Sequence, residues 1–274
     1  MKTLSKVSEF IDKYDALILD IWGVIHDGQA TYPGVVECLQ ELRAADKKII
    51  FLSNAPRRAE IVAQVLGKFG ITQDLYDTAI SSGEVTYKII ARDEKAGSKY
   101  LYIGPEKDRA LLDGLDVEEV SEAANADFAL VTGFDEDDST LQEKLPQIEA
   151  ALANNLKLYC ANPDLLVVRQ DGTEMLCAGV IGEYYAEKGG DVRFIGKPHG
   201  DVYEAAFEIL HLTPRERIAA VGDNLDTDIL GANRVGIDSY LCLGGVLKNE
   251  TTPFVELIKK AGAEPTATIP QFNW

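Results

Sequence analysis

A carboxylate stands at the end of a short apolar run near the N-terminus. The run Ala16-Leu17-Ile18-Leu19 is closed by Asp20, and Gly23 follows, where it lets the chain turn sharply. Such a carboxylate can attack phosphorus, because a carboxylate nucleophile divides a difficult hydrolysis into two easier steps. An Asp that only caps the following turn would give the same local pattern. This segment alone therefore leaves both interpretations open.

Three acidic residues follow another apolar run. Asp223, Asp226 and Asp228 come soon after Ile218–Val221, and carboxylate oxygens suit a hard cation such as Mg²⁺. Asp223 is the best candidate for a ligand, and Asp228 is either a further ligand or a residue that holds one in place. Acidic residues at a helix start also favour the helix dipole, and Asp226 fits that simpler role.

Two further segments offer groups that could bind phosphate. Ser53 and Asn54 supply a hydroxyl and amide donors at a predicted helix start, where backbone N–H groups favour an anion. Ser-Asn followed by Pro is also ordinary chemistry for a helix start. Lys197 lies between a glycine and a proline that fix the position of its charge, although lysines on flexible surfaces are common. His26 and His199 could act as acid or base groups, but a single histidine is more often structural.

The elements that must position these residues alternate along the chain. Short apolar runs alternate with segments of helical spacing such as Val35, Val36, Leu39 and Leu42, which is typical of a parallel sheet covered on both faces. The predicted fold class is therefore α/β. The predicted strands are Ala16–Leu19, Ile49–Leu52, Tyr100–Ile103, Phe128–Thr132, Leu156–Tyr159, Val192–Ile195, Ile218–Val221 and Tyr240–Leu243. The chemistry-bearing residues lie at or just beyond the ends of four runs, the edge where open parallel sheets bind ligands.

Composition limits the classes of partner. The chain has 274 residues, a formal net charge of −18 and a pI near 4.6, which argue against a nucleic-acid partner. An anionic substrate would have to be met locally by a cation, a metal or helix N-termini. The four cysteines show no paired spacing, and no apolar stretch is long enough for a signal peptide or a membrane span. We therefore expect a cytoplasmic protein without a membrane partner.

In this order, the four segments resemble the haloacid dehalogenase (HAD) superfamily, and the resemblance covers nearly the whole chain. It is closest to subfamily IIA, the phosphatases similar to NagD, because that branch also has the motifs found here as Asn162-Pro163-Asp164, Gly196-Lys197-Pro198 and Gly222 to Asp228. The resemblance implies a Rossmann-like, doubly wound parallel sheet core, residues 1–92 plus 191–274. It also implies an inserted α/β cap domain of the C2 type, residues 93–190, that closes over the substrate.

The resemblance also implies roles for individual residues. Asp20 would be nucleophile and ligand of Mg²⁺, with the backbone carbonyl of Trp22 and the carboxylate of Asp223 as further ligands. Phosphate binding would fall to three residues: Ser53, Asn54 and Lys197, the last of which would bridge the phosphate to the nucleophile. In the cap, Asn162 and Asp164, and the stretch from Gly172 to Gly179, could shape specificity for a small phosphorylated substrate, although Asp171-Gly172 fits a plain turn at least as well. Caps of this type often help to form dimers, so the resemblance also allows for a homodimer.

One position departs from the family pattern. Phosphatases of this superfamily usually have a second Asp two residues after the nucleophile, and this chain has Trp22 there. An indole cannot move protons, and loss of a general acid or base typically costs roughly 10²–10⁴-fold in rate. The chain could remain a phosphatase for good leaving groups, or with Asp27 or His26 as partial substitutes. It could instead catalyse phosphotransfer or another non-phosphatase reaction, or be a catalytically weak binding protein.

We therefore predict a Mg²⁺-dependent hydrolase of small phosphorylated metabolites, similar to sugar or nucleotide phosphates, that forms an aspartyl-phosphate on Asp20. The nucleophile beside the phosphate favours an enzyme over a binding protein. A metal-free dehalogenase is disfavoured, because Asp223 and Asp228 are both present.

Overall fold

The computed structural model of the chain describes residues 2–136, 138–168, 174–211, 213–248 and 250–274. Contacts between residues divide it into two compact units. The first unit comprises Met1–Ser53, Glu60–Ile80 and Lys197–Trp274, and the second comprises Asn54–Ala59 and Ser81–Gly196. The predicted domain boundaries near residues 93 and 190 remain predictions.

Strands and helices alternate along the described residues. The strands are β1 Lys2–Thr3, β2 Ala16–Leu19, β3 Lys48–Ser53, β4 Thr78–Ser81, β5 Ser98–Ile103, β6 Val117–Val120, β7 Phe128–Val131, β8 Lys157–Cys160, β9 Leu166–Val168, β10 Glu174–Leu176, β11 Val192–Phe194, β12 Ile218–Gly222, β13 Asp238–Cys242 and β14 Ala267–Ile269. The α-helices are α1 Val35–Ala44, α2 Ala59–Lys68, α3 Ser82–Asp93, α4 Leu141–Ala153, α5 Ala178–Glu187, α6 Gly200–Ile209, α7 Leu230–Val235 and α8 Phe254–Ala261.

The sheet of the first unit has β2 near its centre. Its strand order is β1-β14-β13-β12-β2-β3-β4, and β2 pairs in parallel with both β12 and β3. All four side chains of β2 are buried, as expected for a parallel strand covered on both faces. Of the positions whose spacing predicted this helix, α1 buries Val35, Leu39 and Leu42 and leaves Val36 half-buried. It also buries Cys38. The predicted α/β class is confirmed.

The second unit has a parallel sheet of its own and a small hairpin. The five-stranded sheet has the order β11-β8-β7-β5-β6, and β9 pairs with β10 as an antiparallel hairpin. Helix α4 begins with a capping box, in which the side chains of Thr140 and Glu143 satisfy backbone N–H groups at the helix start. Side chains of α4 and α5, among them Ile148, Ile181 and Tyr185, are buried in one apolar core with β5, β7 and β8.

All eight predicted strands are present, with ends shifted by at most two residues. Strands that the sequence did not predict are short or lie at a sheet edge. In β6, for example, Glu118 and Glu119 are both exposed, and without apolar alternation an edge strand has no clear sequence signal. In the described part of the chain, none of the helices has the length and apolar character needed to cross a bilayer.

Candidate active site

Two neighbouring parallel strands place Asp20 and Asp223 at the same edge of the first unit's sheet. Leu19 of β2 lies opposite Val221 of β12, and the backbone N–H of Asp20 donates to the Val221 carbonyl at 2.9 Å. Asp223 is the first residue after β12. The structure therefore brings these two predicted site residues together at the carboxyl end of the sheet.

Lys197 and Asp228 complete a buried cluster of charges. The Lys197 Nζ donates to Oδ1 of Asp20 in a short hydrogen bond, and to Oδ1 of Asp228 at 2.7 Å. Oδ2 of Asp228 accepts from the backbone N–H of Asn224 at 3.2 Å. All four charged side chains, Asp20, Lys197, Asp223 and Asp228, are buried. Lys197 was predicted to bridge a phosphate to Asp20, and the structure brings its ammonium group into contact with that residue.

The three carboxylates form a group that suits a metal ion. Asp20, Asp223 and Asp228 each offer one carboxylate oxygen, and these oxygens lie within 4.8 Å of one another. Three buried carboxylates face one buried ammonium group, and buried charge is costly unless it is compensated. A hard divalent cation prefers oxygen ligands. The donor set therefore fits the predicted cofactor class.

Burial shapes the protonation of this cluster. Burial raises the pKa of Asp20 to about 7 against the opposing effect of the Lys197 charge, and burial together with the nearby carboxylates raises that of Asp223. Burial alone would lower the pKa of Lys197, but the charges of Asp20 and Asp228 outweigh it, so the net shift is upward. The lysine is therefore protonated, and Asp20 and Asp223 favour their protonated forms unless a further cation compensates their charge.

Asp223 is held closely by three residues, of which the sequence analysis had named only Gly23, as a turn residue. The backbone N–H of Val246 donates to Oδ2 of Asp223 at 2.7 Å. A Cβ atom added to Gly23 would lie 1.9 Å from that same oxygen, and one added to Gly245 would lie 2.0 Å from it. Gly23 also has φ of +80°, which L side chains rarely adopt. The pair Gly244-Gly245 just beyond β13, at the same sheet edge, was the available signal.

Asp226 lies outside this cluster. It is exposed, and its backbone N–H donates to the side-chain oxygen of Asn224 at 2.9 Å. Asn224 is therefore the residue that caps this turn. The acidic segment divides as the sequence suggested: Asp223 and Asp228 belong to the buried cluster, and Asp226 does not.

The predicted phosphate-binding residues follow β3. Ser53 is its last residue, in the first unit, and β3 pairs with β2 through Leu19 and Phe51. Asn54 is the first residue of the second unit. Its Nδ2 donates to Oδ1 of Asp164 at 2.8 Å. The structure therefore brings Asn54 into contact with a residue that the sequence analysis assigned to substrate specificity.

The loop after the nucleophile strand is built around Trp22 and His26. A Cβ atom on Gly28 would lie 2.6 Å from Cη2 of Trp22, so the indole packs directly on that glycine. The His26 ring stacks on Phe69 with ring centroids 4.3 Å apart. Its Nδ1 accepts from the backbone N–H of Gly28 at 3.1 Å, a bond that requires an unprotonated nitrogen. Burial lowers the pKa of His26 to about 4, so the ring is neutral near pH 7.

Asp27 is also engaged by its own loop. Its Oδ1 accepts from the backbone N–H groups of Gln29 and Ala30, each at 2.9 Å. These contacts account for Asp27 as a turn residue. Asp171 and Gly172, which the sequence analysis considered as a turn or as part of a specificity segment, lie outside the described residues.

Comparison with known proteins identifies the family. Residues 17–118 match the model of haloacid dehalogenase-like hydrolases, and residues 194–273 match a second, HAD-hydrolase-like model. A solved hydrolase of the haloacid dehalogenase-like family from Brucella suis 1330 superimposes with a TM-score of 0.87 at 30% identity, covering 98% of this chain and 99% of that one. The chain belongs to the haloacid dehalogenase-like hydrolase family.

Named relatives of this HAD hydrolase are phosphatases. An acid sugar phosphatase of Staphylococcus saprophyticus is 27% identical over 262 residues, covering 95% of this chain and 96% of the relative. A glycerol phosphate phosphatase from Mycobacterium tuberculosis, solved in complex with calcium, superimposes with a TM-score of 0.67 at 25% identity, covering 86% of this chain and 68% of that one. The predicted resemblance to the NagD-like branch is confirmed, and the class of phosphoric monoester hydrolase agrees with these relatives.

Proposed function

We propose that this HAD hydrolase removes phosphate from small phosphorylated metabolites, with Mg²⁺ as cofactor and Asp20 as nucleophile. The observation that carries the proposal is the convergence of Asp20, Asp223 and Asp228 on one point, with Lys197 bonded to two of them. The class of substrate is supported by relatives named as acid sugar phosphatase, sugar-phosphatase and D-glycerol 3-phosphate phosphatase.

In this proposal the residues of the chain would hold the metal ion and the substrate phosphate. Asp20, Asp223 and the backbone carbonyl of Trp22 would be metal ligands, and Asp228 would either be a ligand or hold one in place. When bound, Mg²⁺ supplies positive charge that stabilises the charge on the transferring phosphoryl group. Ser53 and Asn54 would bind the phosphate oxygens. The Lys197 ammonium would neutralise both the phosphate and the attacking carboxylate.

The reaction would take two steps. A carboxylate oxygen of Asp20 forms a bond to phosphorus, the bond from phosphorus to the ester oxygen breaks, and the alcohol leaves with a proton taken from solvent. Water then attacks the phosphorus of the aspartyl-phosphate, which releases inorganic phosphate and restores the Asp20 carboxylate. Residues 93–190 would serve as the cap that limits access of water to the substrate.

Trp22 supports a second candidate, a phosphotransferase or a catalytically weak phosphometabolite-binding protein. The indole packs on Gly28 and offers no acidic proton to a leaving group. We expect aryl phosphates, whose leaving groups need no proton, to react faster than alkyl phosphates by on the order of 10²-fold or more. In a Trp22→Asp variant that ratio should fall, with Trp22→Phe as the control for loss of the indole. Equal rates for aryl and alkyl esters in the wild type would contradict the importance of this position.

A panel assay tests the main proposal. Purified protein is incubated with sugar phosphates, nucleotides, glycerol phosphate and 4-nitrophenyl phosphate, with Mg²⁺ or with EDTA, and released phosphate is measured for wild type and Asp20→Asn. Release that needs Mg²⁺ and is lost in Asp20→Asn is the expected result. Absence of release from every ester, with binding of the esters retained, would favour the second candidate.

A further inference from the structure

Residues 54–59 lie against the carboxyl edge of the sheet in the second unit. This segment, residues 54–59, follows the predicted phosphate-binding Ser53 and belongs to the second unit. Residues that follow three different strands reach it: Asp108 after β5, Asp164 after β8 and Gly196 after β11. In open parallel sheets this edge is where ligands bind. Here the neighbouring position is taken by the chain's own residues 54–59.

Asn54 is held from two sides within this unit. A carboxylate can only accept hydrogen bonds, so the side-chain atom of Asn54 that faces Asp164 at 2.8 Å must be the amide nitrogen. On the opposite side of the amide, a Cβ atom on Gly196 would lie 2.7 Å from Oδ1 of Asn54. The rotation of the amide is therefore fixed, and with it the direction of its second N–H bond.

Asp164 is itself rigidly placed. Its backbone N–H donates to Oδ1 of Asn162 at 3.0 Å, and its carbonyl accepts from the backbone N–H of Gly179 at the start of α5, also at 3.0 Å. A Cβ atom on Gly179 would lie 2.3 Å from the Pro163 carbonyl oxygen, so the helix start lies directly against this turn. A side chain on a turn that is fixed in this way can hold a neighbouring side chain in place.

Arg57 anchors the other end of the segment. Its Nε donates to Oδ1 of the buried Asp108 at 2.7 Å, and its backbone carbonyl accepts from the Ser81 hydroxyl. Gly83 also lies against the segment, because an added Cβ atom would be 2.3 Å from the Arg57 backbone nitrogen. The segment is thus attached at Asn54 and at Arg57 to elements of the same unit.

We infer that Asp164 is a positioning residue for Asn54, and that this hydrogen bond sets the strength with which the Asn54 side chain binds phosphate. The inference rests on the proposed function for the phosphate contact of Asn54. It assigns Asp164 a role through Asn54 in place of direct contact with the organic part of the substrate. Asn54 and Asp164 belong to the same compact unit.

The test compares variants that keep or lose the acceptor of this hydrogen bond. Affinity for inorganic phosphate in the presence of Mg²⁺ is measured by calorimetry for wild type, Asp164→Asn, Asp164→Ala, Asn54→Ala and the double alanine variant. Asn keeps an oxygen that accepts from Asn54, so Asp164→Asn should bind phosphate within about twofold of wild type. Asp164→Ala should bind it on the order of tenfold more weakly. The double variant should be no weaker than Asn54→Ala, because coupled residues are not additive.

The controls separate this inference from a folding defect and from failure of the proposed function. Glu187→Ala, an exposed carboxylate of the same unit, should leave phosphate affinity unchanged, and thermal unfolding checks that each variant is folded. Equal loss in Asp164→Asn and Asp164→Ala would overturn the inference, because it would make the carboxylate charge itself the requirement. Full additivity, or no phosphate binding by wild type, would overturn it as well. A wild type that binds phosphate but hydrolyses no ester contradicts only the proposed function, since the binding comparison still holds.

Discussion

Both units have a parallel sheet, but the acidic side chains at the carboxyl edges of the two sheets differ in how far they are paired. At the edge of the first unit, three acidic side chains and one lysine converge on each other, so that acidic groups outnumber basic ones. At the edge of the second unit, Asp108 and Asp164 are each bonded to a residue of segment 54–59. The first arrangement calls for a cation from outside the chain, and the second is satisfied by the chain.

This difference suggests a division of labour between the sheets. We propose that the carboxyl edge of a parallel sheet serves as a reaction site in the first unit, and as a support for segment 54–59 in the second, where the acidic residues are paired. The contrast leads to the expectation that variants at the first edge respond to Mg²⁺, whereas variants at the second edge do not.

The largest effect is expected when one carboxylate of the first edge is neutralised. Asp223→Asn should lower the rate of phosphate release by on the order of 10³-fold and remove thermal stabilisation by Mg²⁺, because a neutral amide is a poorer ligand for a hard cation. Asp226→Asn removes the same charge three residues away, at an exposed position, and should behave as wild type. Equal effects of the two substitutions would mean that net charge alone matters at this edge.

Removal of the basic side chain at each edge should change the free energy of unfolding differently in the two units. Lys197→Met leaves Asp20 and Asp228 without their buried partner and should lower the free energy of unfolding by about 3 kcal/mol in EDTA. Added Mg²⁺ should recover part of that loss. Arg57→Ala leaves Asp108 unpaired, but the arginine is about one-third exposed, so the loss should be smaller, about 1–2 kcal/mol. Denaturant unfolding with and without Mg²⁺ gives both values.

The Arg57→Ala loss should be the same with and without Mg²⁺, because Asp108 is a residue of the second unit and outside the acidic cluster. If Mg²⁺ rescued both variants equally, or neither of them, the proposed contrast between the two edges would be wrong.

A smaller effect is expected from added bulk without any change of charge. Gly245→Ala would place a methyl group 2.0 Å from Oδ2 of Asp223, so the carboxylate must shift. Affinity for Mg²⁺, measured by calorimetry, should fall by about tenfold. Gly67→Ala meets no atom within 4 Å and lies inside helix α2, so it should leave Mg²⁺ affinity unchanged and stabilise the fold by about 0.5–1 kcal/mol. Unchanged Mg²⁺ affinity in Gly245→Ala would indicate that Asp223 is not a ligand.

The sequence predicted the centre of the first edge better than its surroundings. Asp20 and Asp223 could be found because each follows a continuous apolar run, and buried parallel strands give that signal directly. Lys197 could be found because it lies between Gly196 and Pro198. The role of Gly245 could not be found in the same way, because it depends on the loop after β13 folding back onto Asp223, a contact between residues far apart in the chain.

The second edge was harder to predict for the same reason. The sequence marked Asn54 and Asp164 separately, but 110 positions separate them, and only the fold brings the amide to the carboxylate. The hairpin of β9 and β10 and the edge strand β6 were also missed, because strands of only three or four residues are too short to show a periodic pattern.

The proposed mechanism requires that the chain becomes phosphorylated on Asp20. Wild-type protein with Mg²⁺ is mixed with an aryl phosphate, quenched in acid within the first turnovers, and digested, and the peptide that contains Asp20 is examined by mass spectrometry. If Asp20 is the nucleophile, this peptide should be heavier by one phosphoryl group, which should be lost after treatment with hydroxylamine and absent in Asp20→Asn or in EDTA. Phosphate release without any labelled Asp20 peptide, or undiminished release by Asp20→Asn, would contradict the proposed mechanism.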